Sequence, residues 1–179
     1  MIMNRRAALQ RVTLMMGAVL SAQLSAGLMG QVINNGKSVA VDATLQALLA
    51  EVAEVIMPTT DTPGAKAAGV EKFVMRLMQD CYLLDEQEQF YAMIKKLDAD
   101  AKAAHGKGFA ELDAVKKNEA IKQVAGTNTE VFKTLRELVI AGYFTSEIGA
   151  TKALEYLPVP GQFVGDVPLR PGQKAWAQV

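Results

Sequence analysis

The side chains able to do chemistry are few in this chain of 179 residues, and none stands in a recognisable constellation. There is one histidine, His105, and one cysteine, Cys81. A zinc site needs several imidazole, thiolate or carboxylate ligands at set spacing, and His105 has no second His or Cys near it. A lone cysteine also excludes a disulfide within the chain, a Cys-x-x-Cys-His haem attachment and an all-cysteine iron–sulfur site. Acyl transfer needs a serine held against a base. Ser21, Ser25 and Ser38 fall in or near the N-terminal segment, Ser146 stands alone in the body, and there is no Gly-x-Ser-x-Gly. There is no Gly-x-Gly-x-x-Gly either, and Gly106-Lys107-Gly108 is too short to cradle a phosphate and follows no strand pattern. His105, just before that glycine pair, reads as an exposed residue at a helix C-terminus. Asp61 has no His, Lys or second carboxylate adjoining it, so its reading is structural. The other carboxylates are spread over polar helix faces and read as solvated. Catalytic, cofactor-binding and metal-binding residues are therefore read as none, and the chain as a non-enzyme.

The first thirty residues differ from everything after them. Arg5 and Arg6 precede Ala7-Ala8-Leu9 and an apolar run from Val12 to Gly30. A positive start followed by an apolar stretch is the grammar of an export signal, and the paired arginines make it a twin-arginine signal, with Arg5, Arg6 and Leu9 as its marks. Asn4 and Ala8 depart from the usual pattern, and an ordinary secretion signal remains an alternative. Gln23 and the Gly, Ala and Ser content argue against a stable span, which takes about 20 apolar residues. Ser21, Ala22, Ser25 and Ala26 allow several cleavage sites, and an uncleaved anchor stays open. Removing the signal leaves roughly 140–150 residues, the size of one domain. Of the 19 basic residues, Arg5, Arg6, Arg11 and Lys37 precede Asp42, so the remainder carries 15 against 19 acidic groups. A mildly acidic body argues against nucleic acid as a partner, since phosphate binding needs a basic face.

The body reads as all-α, a small multi-helix bundle behind an N-terminal signal helix. Residues 1–30 are the signal, 31–41 a linker with a turn at Asn34-Asn35-Gly36, 42–157 the helical domain and 158–179 a tail. Asp42 caps a helix whose apolar face is Leu45, Leu48, Leu49, Val52, Val55 and Ile56, and Pro58 ends it. A second stripe is Val70, Phe73, Val74, Leu77, Met78 and Cys81. Cys81 there reads as a buried thiol, with an intersubunit disulfide as the alternative. Asp85 caps a third helix with Phe90, Met93, Ile94, Leu97 and Ala101 inward. A shorter one, opened by Asp113 and closed by Gly126, has Leu112, Val115, Ala120, Ile121 and Val124. Asn128-Thr129 caps the most apolar helix, 130–144, whose breadth suits a central position. A short helix from Thr145-Ser146-Glu147 to Leu154 follows.

Two stretches are not helical. In Ile56–Ala65, Pro63-Gly64 fits the centre of a type II turn, and Asp61 with its threonines can fix the loop by bonds to nearby amides. This loop reads as a connector or as a docking loop. After Tyr156, Pro158, Pro160, Pro168 and Pro171 exclude a helix, while Phe163 and Trp176 give the tail apolar contacts. Such a segment suits lying across another surface; wrapping onto its own bundle and disorder are the alternatives.

At this point the sequence resembles a known family. Ile56-Met-Pro-Thr-Thr-Asp-Thr-Pro-Gly-Ala65 with Ala68-Gly69-Val70 is similar to one signature of the small subunit (subunit 3, or gamma) of gluconate 2-dehydrogenase-type complexes. Leu135-Arg-Glu-Leu-Val-Ile-Ala-Gly-Tyr-Phe-Thr-Ser-Glu-Ile-Gly-Ala150 is similar to a second, and Leu157-Pro-Val-Pro-Gly-Gln-Phe163 to a third. The resemblance implies a subunit without flavin of its own. Its partner would be a flavin-dependent dehydrogenase of the glucose–methanol–choline type, carrying FAD, with haem c in an associated c-type cytochrome. It implies support for folding of the large subunit, export of the folded complex by the twin-arginine translocase, and a periplasmic, membrane-associated location. The residues expected to dock on the partner are Pro58, Thr60, Asp61, Pro63, Gly64, Tyr143, Phe144, Pro158, Pro160, Phe163 and Trp176. The rival expectation is a stand-alone exported helical binding protein for a small ligand.

Overall fold

A computed structural model describes residues 34, 37–156, 161, 168 and 171–177. Its elements are α1 (Ala43–Ile56), α2 (Val70–Cys81), α3 (Leu84–His105), a 3₁₀ turn (Phe109–Glu111), α4 (Ala114–Thr127), α5 (Thr129–Thr145) and a π-type turn (Gly149–Ala153). The body is all-α, as its apolar periodicity predicts; the signal expected over residues 1–30 lies outside the described residues. Asp42 caps α1 by accepting the Leu45 N–H at 2.7 Å, and Asp113 caps α4 through Lys116 N–H at 2.9 Å. These short carboxylates satisfy amides that no earlier turn can reach. Gly106, in the left-handed region at φ 67°, closes α3.

Several expected details change. Helix α3 begins at Leu84, so Asp85 lies inside its first turn. Glu86 reaches back to accept the Leu83 N–H at 2.8 Å. Helix α4 continues through Gly126 to Thr127, and Asn128 alone separates it from α5 without a side-chain cap bond. Val115 is exposed and Phe109 takes the core position instead, wholly buried on the 3₁₀ turn. Asp98 fixes that turn by accepting Phe109 N–H at 2.8 Å. The expected short helix from Thr145-Ser146-Glu147 to Leu154 is present over residues 147–153, with Gly149–Ala153 in the wider π-type winding.

The core is Leu49, Val52 and Ala53 of α1, Val70, Val74 and Met78 of α2, Phe90, Ile94 and Leu97 of α3, and Leu135 and Val139 of α5, with Phe109 between them. Each large apolar side chain so buried contributes about 1.5–3 kcal/mol. Helices α1 and α5 each touch all the other helices, so α5 has the central place its breadth suggests. Phe73 packs over Gly142, where a Cβ would stand 2.6 Å from the ring, and this brings α2 and α5 into close approach. A half-buried ion pair ties α1 to α4: Glu51 accepts from Lys117 at 2.8 Å and also from Lys66. The Lys117 ammonium lies 5.9 Å from the centre of the Phe109 ring. Cys81 is half-buried with a free thiol, and burial, helped by the charge of Asp80, pushes that thiol upward.

The described residues before α1 are tied to the α2–α3 corner. The Asn34 amide donates to Tyr82 C=O at 2.9 Å and accepts from Leu84 N–H at 3.2 Å. Gln87, 1 % exposed, accepts from Val39 N–H at 3.0 Å and donates to Tyr82 C=O at 2.9 Å. A buried amide with both ends paired removes the cost of burying it.

Candidate functional site

The loop after α1 and the end of α5 come together at one end of the bundle, and the described part of the tail returns to it. The loop is organised by a residue the sequence reading passed over. Glu54, in the last turn of α1, accepts the Thr59 N–H and hydroxyl on Oε1 at 2.8 and 2.7 Å. Its Oε2 accepts the Lys66 N–H at 2.9 Å. One carboxylate thus grips the entry and the exit of the loop. Burial raises the Glu54 pKa, but these hydrogen bonds outweigh it and hold the carboxyl below its ordinary range. Inside the loop, Gly64 N–H donates to Thr59 Oγ1 at 3.0 Å and Ala65 N–H to Met57 C=O at 2.9 Å.

Gly64 is not at positive φ, so Pro63-Gly64 is not the centre of a type II turn. Its glycine is required by space. A Cβ there would stand 2.5 Å from both Glu54 oxygens and 2.6 Å from Thr59 N.

The second motif supplies the other grip. Tyr143, 2 % exposed, donates its hydroxyl to the Pro63 carbonyl at 2.7 Å, and Thr62 Oγ1 lies 3.4 Å from it. Its ring meets Phe144 edge-on at 5.3 Å. At the end of α5, Ser146 donates to Tyr143 C=O at 2.6 Å and accepts from Gly149 N–H at 3.0 Å. A Cβ on Gly149 would be 1.9 Å from the Tyr143 carbonyl oxygen, so the chain can turn here only on glycine.

Beyond that turn, Glu155 and Trp176 form a parallel bridge: Glu155 N–H donates to Ala175 C=O at 2.8 Å and Ala177 N–H to Glu155 C=O at 3.0 Å. Lys174 donates to Lys152 C=O. Asp61 is held below its ordinary range by the Thr60 hydroxyl first, with the charge of Lys174 adding to it, so the returning segment passes near the loop. Tyr156 and Trp176 stay 45 % and 47 % exposed. An open groove of about 510 Å³, lined by Thr151, Leu154, Tyr156, Pro171 and Lys174 among others, runs between turn and tail.

The expected docking residues therefore divide. Pro58, Thr60, Asp61 and Trp176 are exposed; Pro63 and Phe144 are half-buried; Gly64 and Tyr143 are turned inward and hold the loop. Arg5, Arg6, Leu9, Pro158, Pro160 and Phe163 lie outside the described residues. Among the described residues no cluster of His, Cys, Asp and Glu could hold a metal ion, and no helix is long and apolar enough to cross a membrane.

Among the described residues, the braced Pro58–Ala65 loop, Tyr143 and the Glu155–Trp176 bridge thus lie at one end of an all-α body. The chain belongs to the gluconate 2-dehydrogenase subunit 3 family, whose model matches residues 43–161. Membership implies an accessory subunit associated with a gluconate dehydrogenase complex. No curated protein and no solved structure matches the chain.

Proposed function

We propose that this chain is the non-catalytic small subunit of a flavin-dependent dehydrogenase complex of the glucose–methanol–choline type. It supports folding of the catalytic subunit and takes it through the twin-arginine route as a folded complex. FAD belongs to the catalytic subunit, and a c-type cytochrome carries haem and accepts the electrons. The complex works at the periplasmic side of the membrane, held there by its own assembly or by an uncleaved signal. The observation that carries this reading is the gathering of the Pro58–Ala65 loop, Tyr143–Phe144 and Trp176 at one end, with Pro58, Thr60, Asp61 and Trp176 left in solvent. Exposed apolar and aromatic side chains next to a preformed loop fit a protein partner.

The test is export. Arg5→Lys with Arg6→Lys should strand the complex, so periplasmic dehydrogenase activity falls while the cytoplasmic pool rises. Unchanged periplasmic activity would remove the escort role.

A second reading has its own observation. An open groove of about 450 Å³ lies between residues 38–41 and helices α2 and α3, lined by Gln46, Lys72, Met75, Arg76 and Tyr91 among others. A stand-alone binding protein would use it for a small ligand. Purification from the native host separates the readings: a flavoprotein that co-elutes supports the first, and a chain that elutes alone supports the second.

A further inference from the structure

The loop from Pro58 to Ala65 spends much of its polar chemistry on its own shape. Thr59 and Lys66 give their amides to Glu54, Gly64 gives its amide to Thr59, and Pro63 accepts from Tyr143. What faces water is the short rim Pro58–Asp61, in which Thr59 is exposed although its amide and hydroxyl are engaged by Glu54. Thr60 N–H donates to Thr62 C=O at 3.0 Å and the Thr60 hydroxyl to Asp61 Oδ1 at 2.8 Å, so the rim is itself cross-braced. Buried Gly64 and Ala65 would need partners for their backbone in any connector, but the exposed stretch 58–61 would not, and without its bonds it would sample many conformations.

We infer that Glu54 and Tyr143 are positioning residues, which preset the Pro58–Asp61 rim for the dehydrogenase subunit without touching it. The inference rests on the proposed assembly with that subunit. Two separate elements carry it. Glu54 stands in α1 and clamps the two ends of the loop, whereas Tyr143 stands in α5, eighty residues from Pro63, and pins its far side. The Tyr143 hydroxyl sits on a ring that is otherwise core, 2 % exposed. Ring packing alone would be met by phenylalanine; the hydroxyl serves the loop. A surface that is ordered before binding loses less conformational freedom on association, and the gain appears as affinity.

The test uses the native complex, purified through a tag on the dehydrogenase subunit, with its dissociation followed by mass photometry on dilution. Tyr143→Phe removes only the hydroxyl. Glu54→Gln keeps the volume but turns an N–H toward a loop amide that has nowhere to donate. Each should raise Kd about three- to tenfold, the scale of one hydrogen bond's net worth. In the free chain, amide exchange at Thr60 should speed up while Val52 and Val139 keep their protection.

A merely structural role is separated by a double-mutant cycle. Pro58→Ala with Asp61→Ala removes the rim contacts directly. On that background Tyr143→Phe should add little to Kd while still lowering thermal stability by the same amount as alone. If the rim variant raises Kd and Tyr143→Phe does not, the positioning inference is wrong and the assembly reading stands. If Tyr143→Phe raises Kd equally with and without the rim, the hydroxyl acts elsewhere and the inference fails. If neither variant changes Kd, the docking face itself is misplaced.

Discussion

Replacing glycine by alanine at three positions should shift stability in opposite directions, and the sign at each is set by its surroundings. At Gly149 the added Cβ would stand 1.9 Å from the Tyr143 carbonyl oxygen and 2.7 Å from its carbon. Both are backbone atoms at the end of a central helix and cannot swing aside. Relief needs a backbone shift of more than an ångström, which breaks the Ser146–Gly149 bond and the Leu154 N–H to Gly149 C=O bond, each at 3.0 Å. Overpacking alone costs about 1–3 kcal/mol, and each lost net hydrogen bond about 1 kcal/mol more. Gly149→Ala is thus expected to lose roughly 3–5 kcal/mol, a fall in Tm of about 10 °C or more. At Gly142 the obstacles are side chains and not backbone, the partly exposed Phe73 ring at 2.6 Å and the buried Val70 Cγ1 at 3.1 Å, so the loss is about 1–3 kcal/mol, smaller than at Gly149. At Gly126 nothing lies within 4 Å of the Cβ and the residue is helical, so alanine should stabilise by about 0.4–1 kcal/mol through the unfolded chain. Urea titrations followed by far-UV circular dichroism would give the order. A Gly149→Ala protein within 0.5 kcal/mol (an estimated margin for neutral change) of the parent would refute the packing argument at the π-type turn.

Three further outcomes are expected. Glu51 has its pKa lowered from 4.5 by the bonds from Lys117 and then Lys66, so its contribution is present above that value and lost as pH falls below it; the stability gap between the parent and Glu51→Gln, measured by urea titration, should be full at pH 7 and shrink in acid. Gln87→Leu leaves Val39 N–H and Tyr82 C=O without their partner, although Asn34 still donates to that carbonyl; a loss of about 1–3 kcal/mol is expected, with faster amide exchange at Val39. His105→Ala and Glu147→Ala should leave turnover of the assembled dehydrogenase within a small factor, whereas losing a general acid–base group typically costs 10²–10⁴-fold; a fall of that size with the complex intact, read by steady-state assay, would place chemistry in this subunit.

What the sequence determined alone is local. The stripes through Leu45–Ile56, Val70–Met78 and Phe90–Ala101 repeat at helical spacing, and a helix brings residues three and four apart to one face whatever it later packs against. Asp42, Asp113 and Gly106 end or begin helices through atoms no more than four residues away, so their roles were legible too. The Ile56–Ala65 loop could be marked as ordered from its Pro, Thr and Gly content. How it is ordered could not be read, because the bonds come from outside it. Nothing in the residues around Glu54 distinguishes it from the solvated carboxylates of any amphipathic helix; its role exists only because α1 ends where the loop doubles back. Tyr143 finds Pro63 across eighty residues, and Gly64, Gly142 and Gly149 are glycine because of atoms the chain brings there from elsewhere. Val115 and Phe109 make the same point in the core: both suit an apolar position by type, and the path of the chain after α3 decided which one was buried. Periodicity and capping depend on neighbours along the chain, whereas close approach and loop bracing depend on how helices pack, and tertiary structure alone sets that.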